Sequence, residues 1–178
     1  MKTLSVLIVL GFFSSTTNKI SFKNEAEVSN WSVTNDGVMG GLSKGNIKAS
    51  DNGVIFFGEV SLKNFGGFTS YKSAFGQHDF SKFEKLSIRY RSTGHDMGFQ
   101  IETNKQFFLP YFKANLPVSE EWTTVTINLD RFQQYQMGDK TGNKLTSQDL
   151  KEVVRIGFIT NEKKEGSFSF EIAHIQFH

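Results

Sequence analysis

The sequence predicts an all-β protein built as an antiparallel β-sandwich or barrel, and three observations support this prediction. Apolar residues come in short runs, several of which alternate with polar residues, as strands with one buried face require. Turn residues separate the runs, and Asn52-Gly53 directly precedes the apolar run 54–57. Helical patterns are few, and only two of the 178 residues are proline. Short strands joined by turns therefore fit better than a parallel sheet covered by helices.

The candidate strands follow from the alternating positions, taken along the chain. These positions are Leu86, Ile88 and Tyr90; Phe99 and Ile101; Val125 and Ile127; and Phe168, Phe170 and Ile172. Because a strand turns every second side chain to the same face, each set predicts one buried face. The predicted core comprises Phe56, Leu86, Ile88, Phe99, Ile101, Ile127, Phe158, Phe168, Phe170 and Ile172.

The final run changes phase, because Ile175 and Phe177 are odd-numbered whereas the apolar residues before them are even-numbered. One strand keeps all of them inside only with an extra residue near Ala173, which predicts a β-bulge. Helical signals are brief. The segment Thr146–Asp149 resembles a capping box, and 79–83 and 129–132 can each form one turn.

Polar residues occupy the other face of two of the alternating runs. Arg89 and Arg91 lie on one run, and Gln100 and Glu102 lie on the next. If these runs are neighbouring strands, the four side chains project to the same side and an Arg–Glu contact is available. One interpretation is a polar ligand groove that contains Arg89 and Arg91 as binding residues, and the other is a solvated sheet face.

Composition excludes several classes of function. The 19 Phe supply a large apolar area for a core although only 38% of residues are hydrophobic. A net charge of +2, with basic and acidic residues interspersed, argues against nucleic acid as a partner. The chain has no Cys, and of its four His only His174 and His178 are close in sequence, so we predict neither a metal site nor a cofactor.

The N-terminus has the order of a secretory signal peptide. A basic start at Met1-Lys2 precedes the apolar run 4–13 and the small polar segment 14–18, and the run is too short to span a bilayer. We predict that 1–18 is a signal peptide or an apolar N-terminal segment, and that 19–178 is one domain. Cleavage near Ser15 to Lys19 would place the protein outside the inner membrane, in the periplasm. Otherwise we expect a cytoplasmic protein with membrane association.

One motif suggests an enzyme. The segment Gly41–Gly45 matches G-x-S-x-G, the nucleophile elbow of serine hydrolases. An elbow needs a strand that enters the serine and a helix that leaves it, but turn residues precede Ser43 and a short strand follows it. We therefore predict no catalytic residue. A His or a carboxylate within hydrogen-bond reach of Ser43 would instead favour a nucleophile.

Two glycine-dense segments, Asp36–Gly45 and Asn64–Ser70, form the predicted binding rim. Such glycine density indicates positive φ angles or close backbone approach, and exposed loops of this kind often bind ligands. A tight corner between strands is the alternative. We predict that the segments are neighbours and that Asp36 accepts hydrogen bonds from the backbone of its own loop. The predicted binding residues are Asp36, Met39, Gly40, Gly41, Ser43, Gly66, Gly67, Phe68 and Ser70, with Trp31, Arg89 and Arg91 outside the two segments.

Both segments resemble a known family, the complex I intermediate-associated protein 30 family. Its first block is matched by Trp31, Asp36, Val38, Met39, Gly40, Gly41 and Ser43. Its second block is matched by Phe56, Gly58, Val60, Ser61, Leu62, Asn64, Gly66, Gly67, Phe68 and Ser70. The resemblance extends over about residues 20 to 178. It implies a jelly-roll β-sandwich of the galactose-binding-like type and a non-enzymatic role, because mitochondrial members are chaperones that associate with an assembly intermediate of respiratory complex I. The chain is similar to single-domain bacterial members.

Two functions remain open at this point. The first is a binding module that assists assembly of a membrane protein complex through a protein partner. The second is a carbohydrate-binding module, for which Trp31, Trp122 and the four Tyr are candidate platforms and packing is the alternative for each. A smooth patch around the glycine loops would favour a protein partner. A pair of exposed, nearly coplanar aromatic rings would favour a sugar.

Overall fold

The computed structural model describes residues 18–178, except the side chains of Val38 and Met39, and it shows two packed antiparallel sheets. The predicted N-terminal signal segment lies outside the described residues, apart from Asn18. The strands are β1 (Asn18–Ser21), β2 (Ser32–Asn35), β3 (Lys44–Ser50), β4 (Gly53–Val60), β5 (Thr69–Lys72), β6 (Lys85–Thr93), β7 (Met97–Glu102), β8 (Tyr111–Leu116), β9 (Thr123–Asn128), β10 (Gln133–Gln136), β11 (Asp139–Lys144), β12 (Arg155–Thr160) and β13 (Gly166–Phe177).

The six-stranded sheet has the order β3-β4-β13-β6-β9, with β1 also paired to β13, and the seven-stranded sheet has the order β11-β10-β8-β7-β12-β5-β2. The prediction of an antiparallel β-sandwich is confirmed. The central strand β13 pairs with β4 over Gly166–Ile172 and with β1 over His174–Phe177, so two strands share one of its edges.

The predicted bulge is present in β13. Its pairing with β6 shifts register between Ile172 and His174, which leaves Ala173 as the extra residue. As a result, Ile172 and Ile175 are both buried although they differ in phase.

The core lies between the sheets and is rich in aromatic rings. Nine of the ten predicted core residues are buried, and Ile127 is half-buried against the core. Phe158 lies near the centre, with its ring centroid 5.2 Å from that of Phe99 and 5.1 Å from that of Phe170. These contacts join the two sheets, since Phe99 and Phe158 belong to one and Phe170 to the other.

The helices are short. Helix α1 (Glu25–Val28) is capped by Asn24, whose side chain accepts a hydrogen bond from the Ala26 amide. Helix α2 (Ser147–Lys151) begins with the predicted capping box, in which Thr146 and Asp149 each bond the backbone N–H of the other. Residues 129–131 form a 3₁₀ turn, as the sequence suggested.

The predicted pairing of the Arg89 and Glu102 runs is wrong. Strand β6 lies in the six-stranded sheet and β7 in the seven-stranded sheet, so their polar faces are on opposite sides of the molecule. The chain crosses between the sheets at Gly94–Asp96, where Gly94 has φ +86° and His95 is buried. A short turn-like connection predicts a reversal of direction, but it does not distinguish a hairpin from a crossing between sheets.

Candidate functional site

The loop after β2 is shaped by its own backbone. A 3₁₀ turn covers Asp36–Met39 and ends at Gly40, whose φ of +90° is in the left-handed region. The Gly40 amide donates to the Gly37 carbonyl and the Gly41 amide donates to the Asp36 carbonyl, both at 3.1 Å. The reversed chain then passes directly beside the Asp36 side chain.

Asp36 is fully buried and joins the two glycine-dense segments. Its carboxylate accepts hydrogen bonds from the Ser43 amide (2.9 Å) and hydroxyl (2.5 Å) within its own loop. It also accepts from the amides of Gly67 (2.7 Å) and Phe68 (3.2 Å) in the other segment. The prediction that the segments are neighbours is confirmed, and we call this arrangement the Asp36 junction. Asp36 bonds to its own loop as predicted, and also to the second segment.

The junction determines the ionisation of Asp36. Burial by itself raises the pKa of a carboxyl group, but the hydrogen bonds from Ser43, Gly67 and Phe68 act in the opposite direction and leave the Asp36 pKa below its ordinary value. The carboxylate is therefore charged at neutral pH, and its bonds to backbone amides are charge-assisted.

Two glycines leave the space that the carboxylate fills. A Cβ atom at Gly41 would lie 2.3 Å from the Asp36 Cγ, and one at Gly66 would lie 2.7 Å from its Oδ2. Any side chain at either position would therefore displace the carboxylate. Gly41 and Gly66 are needed here because their backbone lies close to the Asp36 carboxylate.

Ser43 has the carboxylate neighbour that would favour a nucleophile, but the geometry does not activate it. Its hydroxyl donates to Asp36 and accepts from the Ser61 amide at 3.1 Å, and the residue is buried. A carboxylate with a lowered pKa and several bonded N–H groups is a weak base. The arrangement fixes two loops together, and the Ser43 hydroxyl is engaged both as a donor and as an acceptor.

Exposed apolar residues adjoin the junction in sequence. Leu42 precedes Ser43 and Leu62 follows Ser61, both are exposed, and Phe65 is 96% exposed. Asn64 and Phe65 both have positive φ angles, 54° and 61°. Asn tolerates this conformation, whereas a bulky residue such as Phe seldom adopts it. The loop thus holds Phe65 outward in a strained backbone.

The other predicted binding residues lie in several environments. Trp31 is buried in the core, 5.0 Å from Phe22 between ring centroids, so its predicted role as a surface platform is wrong. Ser70 is buried and donates to the Thr34 carbonyl at 3.3 Å, which ties β5 to β2 rather than facing a partner. Phe68 is half-buried and Gly40 is exposed, whereas the Met39 side chain lies outside the described part of the structure.

Arg89 and Arg91 lie on the outer face of the six-stranded sheet, distant from the Asp36 junction in sequence and on a different element. Their guanidinium carbons lie 5.4 and 5.3 Å from the ring centroid of Trp122. Arg91 also pairs with the buried Glu171 at 2.6 Å, beside a depression of about 240 Å³. The groove predicted jointly with Gln100 and Glu102 does not form.

A polar and aromatic strip crosses the outer face of the seven-stranded sheet. Register places Arg155, Glu102, Tyr111 and Tyr135 opposite one another on four adjacent strands. The rings of Tyr111 and Tyr135 are nearly parallel, at 13°, with centroids 6.0 Å apart. Lys113 Nζ lies 4.3 Å from the Tyr135 centroid and so covers part of that ring.

The strip contains a compact ionic group. Glu102 bonds to Lys72 Nζ and to Arg155 Nη2, each at 2.7 Å. Burial lowers the pKa of Lys72, and the charge of Glu102 opposes that shift. Burial also raises the pKa of Tyr111 and lowers that of Lys113. Beside them the buried Gln100 Oε1 has no hydrogen-bond partner within residues 18–178.

Sequence reasoning missed both Phe65 and the strip. Phe65 lies in the segment Asn64–Ser70 but at a position that the family pattern leaves open, so only its apolar character beside two glycines pointed to it. The strip combines residues from distant parts of the chain, and its two tyrosines were only general aromatic candidates.

The family model described as complex I intermediate-associated protein 30 matches residues 20–172, which include both segments of the Asp36 junction. The chain belongs to this family. The comparison with curated proteins yields no match.

Solved structures similar to this chain include carbohydrate-binding modules. One is the family 11 module of the cellulosomal cellulase Lic26A-Cel5E of Clostridium thermocellum, with a TM-score of 0.65, 18% identity, and coverage of 91% of this chain and 94% of that chain. Another is a family 29 module, the K85A mutant of CBM29-2, with a TM-score of 0.54, 11% identity, and 92% coverage of each chain. At such identities the likeness establishes the fold alone, a sandwich of the jelly-roll type.

Two absences concern the described residues. In 18–178 no group of three or more His, Asp or Glu side chains is arranged to hold a metal ion. Within the same range, no helix has the length and the apolar character to cross a membrane.

Proposed function

We propose that this protein is a non-enzymatic binding module that assists the assembly of a membrane protein complex, of the respiratory complex I type, by holding a protein partner at the Asp36 junction. The observation that carries the proposal is the convergence of the family's two sequence blocks on one buried carboxylate. Residues that define the family therefore build one local structure, which favours a shared role for that structure.

The surface of the junction fits a protein partner. Leu42, Leu62 and Phe65 are exposed apolar residues on the two segments, which hydrogen bonds to Ser43 and Asp36 hold together. We take these three side chains to form one apolar patch. Exposed apolar patches mark interaction sites, and aromatic side chains supply much of the binding energy at interfaces. Because hydrogen bonds already hold the loop in place, the loop itself loses less conformational entropy when it binds a partner.

The chemistry around Ser43 supports the non-enzymatic part of the proposal. Asp36 has a lowered pKa and Ser43 is buried with its hydroxyl engaged on both sides. Neither group is available to exchange a proton with a substrate.

The experiment replaces the exposed aromatic side chain without damaging the loop. In Phe65→Asn the new residue suits a positive φ, so we expect the free energy of unfolding to stay the same or to rise. Loss of a Phe contact at an interface should weaken partner binding by about 10- to 100-fold. The matched control is Phe75→Asn, which changes an exposed Phe in the β5–β6 connection.

The readout is complex assembly in the native host. Strains that lack the protein are complemented with the wild type, Phe65→Asn or Phe75→Asn, and the amount of assembled complex I is measured on native gels. Cross-linking from position 65 identifies the bound subunit. Normal assembly without the protein, or with Phe65→Asn, would contradict the proposal.

A second candidate function is carbohydrate binding, and one observation favours it. Tyr111 and Tyr135 provide two half-exposed, nearly parallel rings next to Gln100 and Glu102, a combination that sugars bind. A solved structure of similar fold, again the family 11 module from Clostridium thermocellum, contains a β-1,3-1,4-mixed-linked tetrasaccharide, with a TM-score of 0.64, 18% identity, and coverage of 92% of this chain and 96% of that chain. Titration with this tetrasaccharide, with Tyr135→Ala as the variant, tests the candidate. No heat of binding to the wild type would rule out this ligand.

A further inference from the structure

Two loops form a paired tip at one end of the seven-stranded sheet. The loop 103–110 joins β7 to β8, and the two-residue turn Met137-Gly138 joins β10 to β11. Gln136 Nε2 donates to the Phe108 carbonyl at 3.3 Å and connects the loops. We call residues 105–109 and 136–140 the paired tip.

The paired tip and the Asp36 junction are at opposite ends of the sandwich. Strand β12 ends at Thr160, whose hydroxyl accepts from the Thr69 amide beside the junction. Met97 pairs with Thr160, and β7 then runs the length of the sheet to Glu102, where the loop 103–110 begins. A partner at the junction therefore leaves the paired tip accessible.

Three large apolar side chains are exposed on the paired tip. Phe107 is 74% exposed, Phe108 is 50% exposed and Met137 is 57% exposed. The rings of Phe107 and Phe108 contact each other edge to face, with centroids 5.7 Å apart. Side chains of this size, gathered on two neighbouring loops, are unusual on a surface that has no function.

The turn at Met137 gives independent evidence that the apolar side chain has a role. Met137 and Gly138 have φ angles of +50° and +94°, and Gln136 pairs with Asp139 on either side. Two-residue turns with two positive φ angles favour Asn-Gly or Asp-Gly. Met is poorly suited to the first position, so the turn accepts backbone strain and presents an apolar side chain in the place of a polar one.

The charge around the paired tip identifies the partner. The paired tip contains two basic residues, Lys105 and Lys140, and one acidic residue, Asp139. Apolar side chains with flanking lysines match the boundary of an anionic bilayer, where the lysines attract phosphate and the apolar groups leave water. A basic and apolar surface complements lipid headgroups in charge as well as polarity.

We propose that the paired tip docks on an anionic lipid bilayer, with Phe107, Phe108 and Met137 at the headgroup boundary and Lys105 and Lys140 next to the lipid phosphates. The inference goes beyond a protein partner at the Asp36 junction and does not depend on it. It orients the long axis of the sandwich away from the bilayer and presents the junction at the distal end.

Because the sequence contains no Cys, a fluorophore can be attached at one introduced Cys. A single substitution, Phe107→Cys, places an environment-sensitive fluorophore on the tip of the full chain, and Phe65→Cys places the same label at the opposite end. Vesicles of phosphatidylcholine alone are compared with vesicles that also contain phosphatidylglycerol. Because the label is local, it reports docking of the tip independently of any contact that residues 1–17 make.

We expect the label at position 107 to shift to shorter emission wavelengths with anionic vesicles, and the label at 65 to remain unchanged. Added Met137→Asn should weaken the response about fivefold while the midpoint of thermal unfolding stays the same or rises. Added Lys105→Gln and Lys140→Gln together should weaken it by roughly 25-fold, at about a factor of five per lysine.

Other results overturn the proposal. These are no shift at position 107, equal shifts at 107 and 65, equal responses to neutral and anionic vesicles, or affinities that Met137→Asn leaves unchanged. A tip that binds a glycan or a protein instead would give the first of these results.

Discussion

Replacing Asp36 with Asn changes one atom of the junction and tests its energetic role. The carboxylate receives four hydrogen bonds, one at Oδ1 from the Ser43 amide and three at Oδ2. In the best orientation the Asn oxygen takes the Oδ2 position and keeps those three. Its NH₂ group then faces the Ser43 amide, so two donors meet in a buried site.

The expected cost follows from these contacts. One buried, unpaired amide costs about 1–3 kcal/mol, and bonds to a neutral acceptor are about half as strong as charge-assisted ones. We therefore expect Asp36→Asn to lower the free energy of unfolding by about 3 kcal/mol, a large fraction of the roughly 5–15 kcal/mol that domains possess. For a chain of this size the thermal midpoint should fall by about 10 °C.

The pH dependence separates this mechanism from a general packing defect. The pKa of Asp36 is lower in the folded protein than its ordinary value near 3.9. The stability contributed by the carboxylate is thus fully present above that value and is lost as pH falls through the folded-state pKa. The gap in stability between wild type and Asp36→Asn should therefore be constant above about pH 5 and should shrink below about pH 4.

The assay is urea unfolding at a series of pH values, with Asp51→Asn as the control. Asp51 is an exposed aspartate in the turn between β3 and β4, so its loss should have little effect. A gap under about 1 kcal/mol at pH 7 would refute the reasoning, because it lies below the cost of one buried unpaired amide. A gap that stays the same at pH 3 would also refute it.

Three further changes test other parts of the structure. Gly41→Ala should cost about 3 kcal/mol or more, because its Cβ meets the Asp36 carboxylate, whereas Gly37→Ala, which meets open space, should stay within about 0.5 kcal/mol in the same unfolding assay. Trp31→Ala should cost about 3–5 kcal/mol by calorimetry because it leaves a cavity among core rings, and a value under about 1 kcal/mol would contradict its burial. Glu102→Gln leaves the Lys72 charge buried without its carboxylate, so unfolding should show a loss of about 2–3 kcal/mol at pH 7. That loss should decrease as pH rises towards 10. The pKa of Lys72 is lowered in the folded protein, so the folded state releases the lysine proton at a lower pH than the unfolded state does. A loss that stays constant as pH rises would argue against this cause.

Local features of the fold were predictable because they depend on residues close together in sequence. Alternation identified the strands that contain Leu86 and Phe168, and the change of phase before Ile175 located the bulge in β13. The Thr146–Asp149 capping box needs only four consecutive residues. Each of these signals is contained within about ten residues, so the sequence is sufficient to find them.

Features that depend on strand order were not predictable. Arg91 pairs with Glu171 on β13, eighty residues away, and not with a residue of the strand that follows it in sequence. The strip at Tyr111 and Tyr135 exists only because β8 lies between β7 and β10 in one sheet. The packing of the whole core determines which strands become neighbours in a sheet. Alternation of apolar and polar residues identifies a strand but not its neighbours.

The junction was half predictable. An acidic side chain in a turn indicated that Asp36 fixes its own loop, and the glycine density and short polar side chains of both segments indicated that the segments are neighbours. Burial of Trp31 was not evident, because a Trp at the start of such a block fits a binding platform as well as a core position. Phe65 required the backbone angles, since its exposure results from two successive positive φ residues.

The position of β13 has a consequence for biosynthesis. This strand follows every other strand of the sandwich in the chain, yet it forms the middle of the six-stranded sheet and pairs with β1, β4 and β6. During translation those three strands emerge first and wait, with unpaired backbone groups and apolar faces, until residues 166–177 leave the ribosome. The six-stranded sheet can therefore be completed only after residues 166–177 have been synthesised, at a late stage of translation.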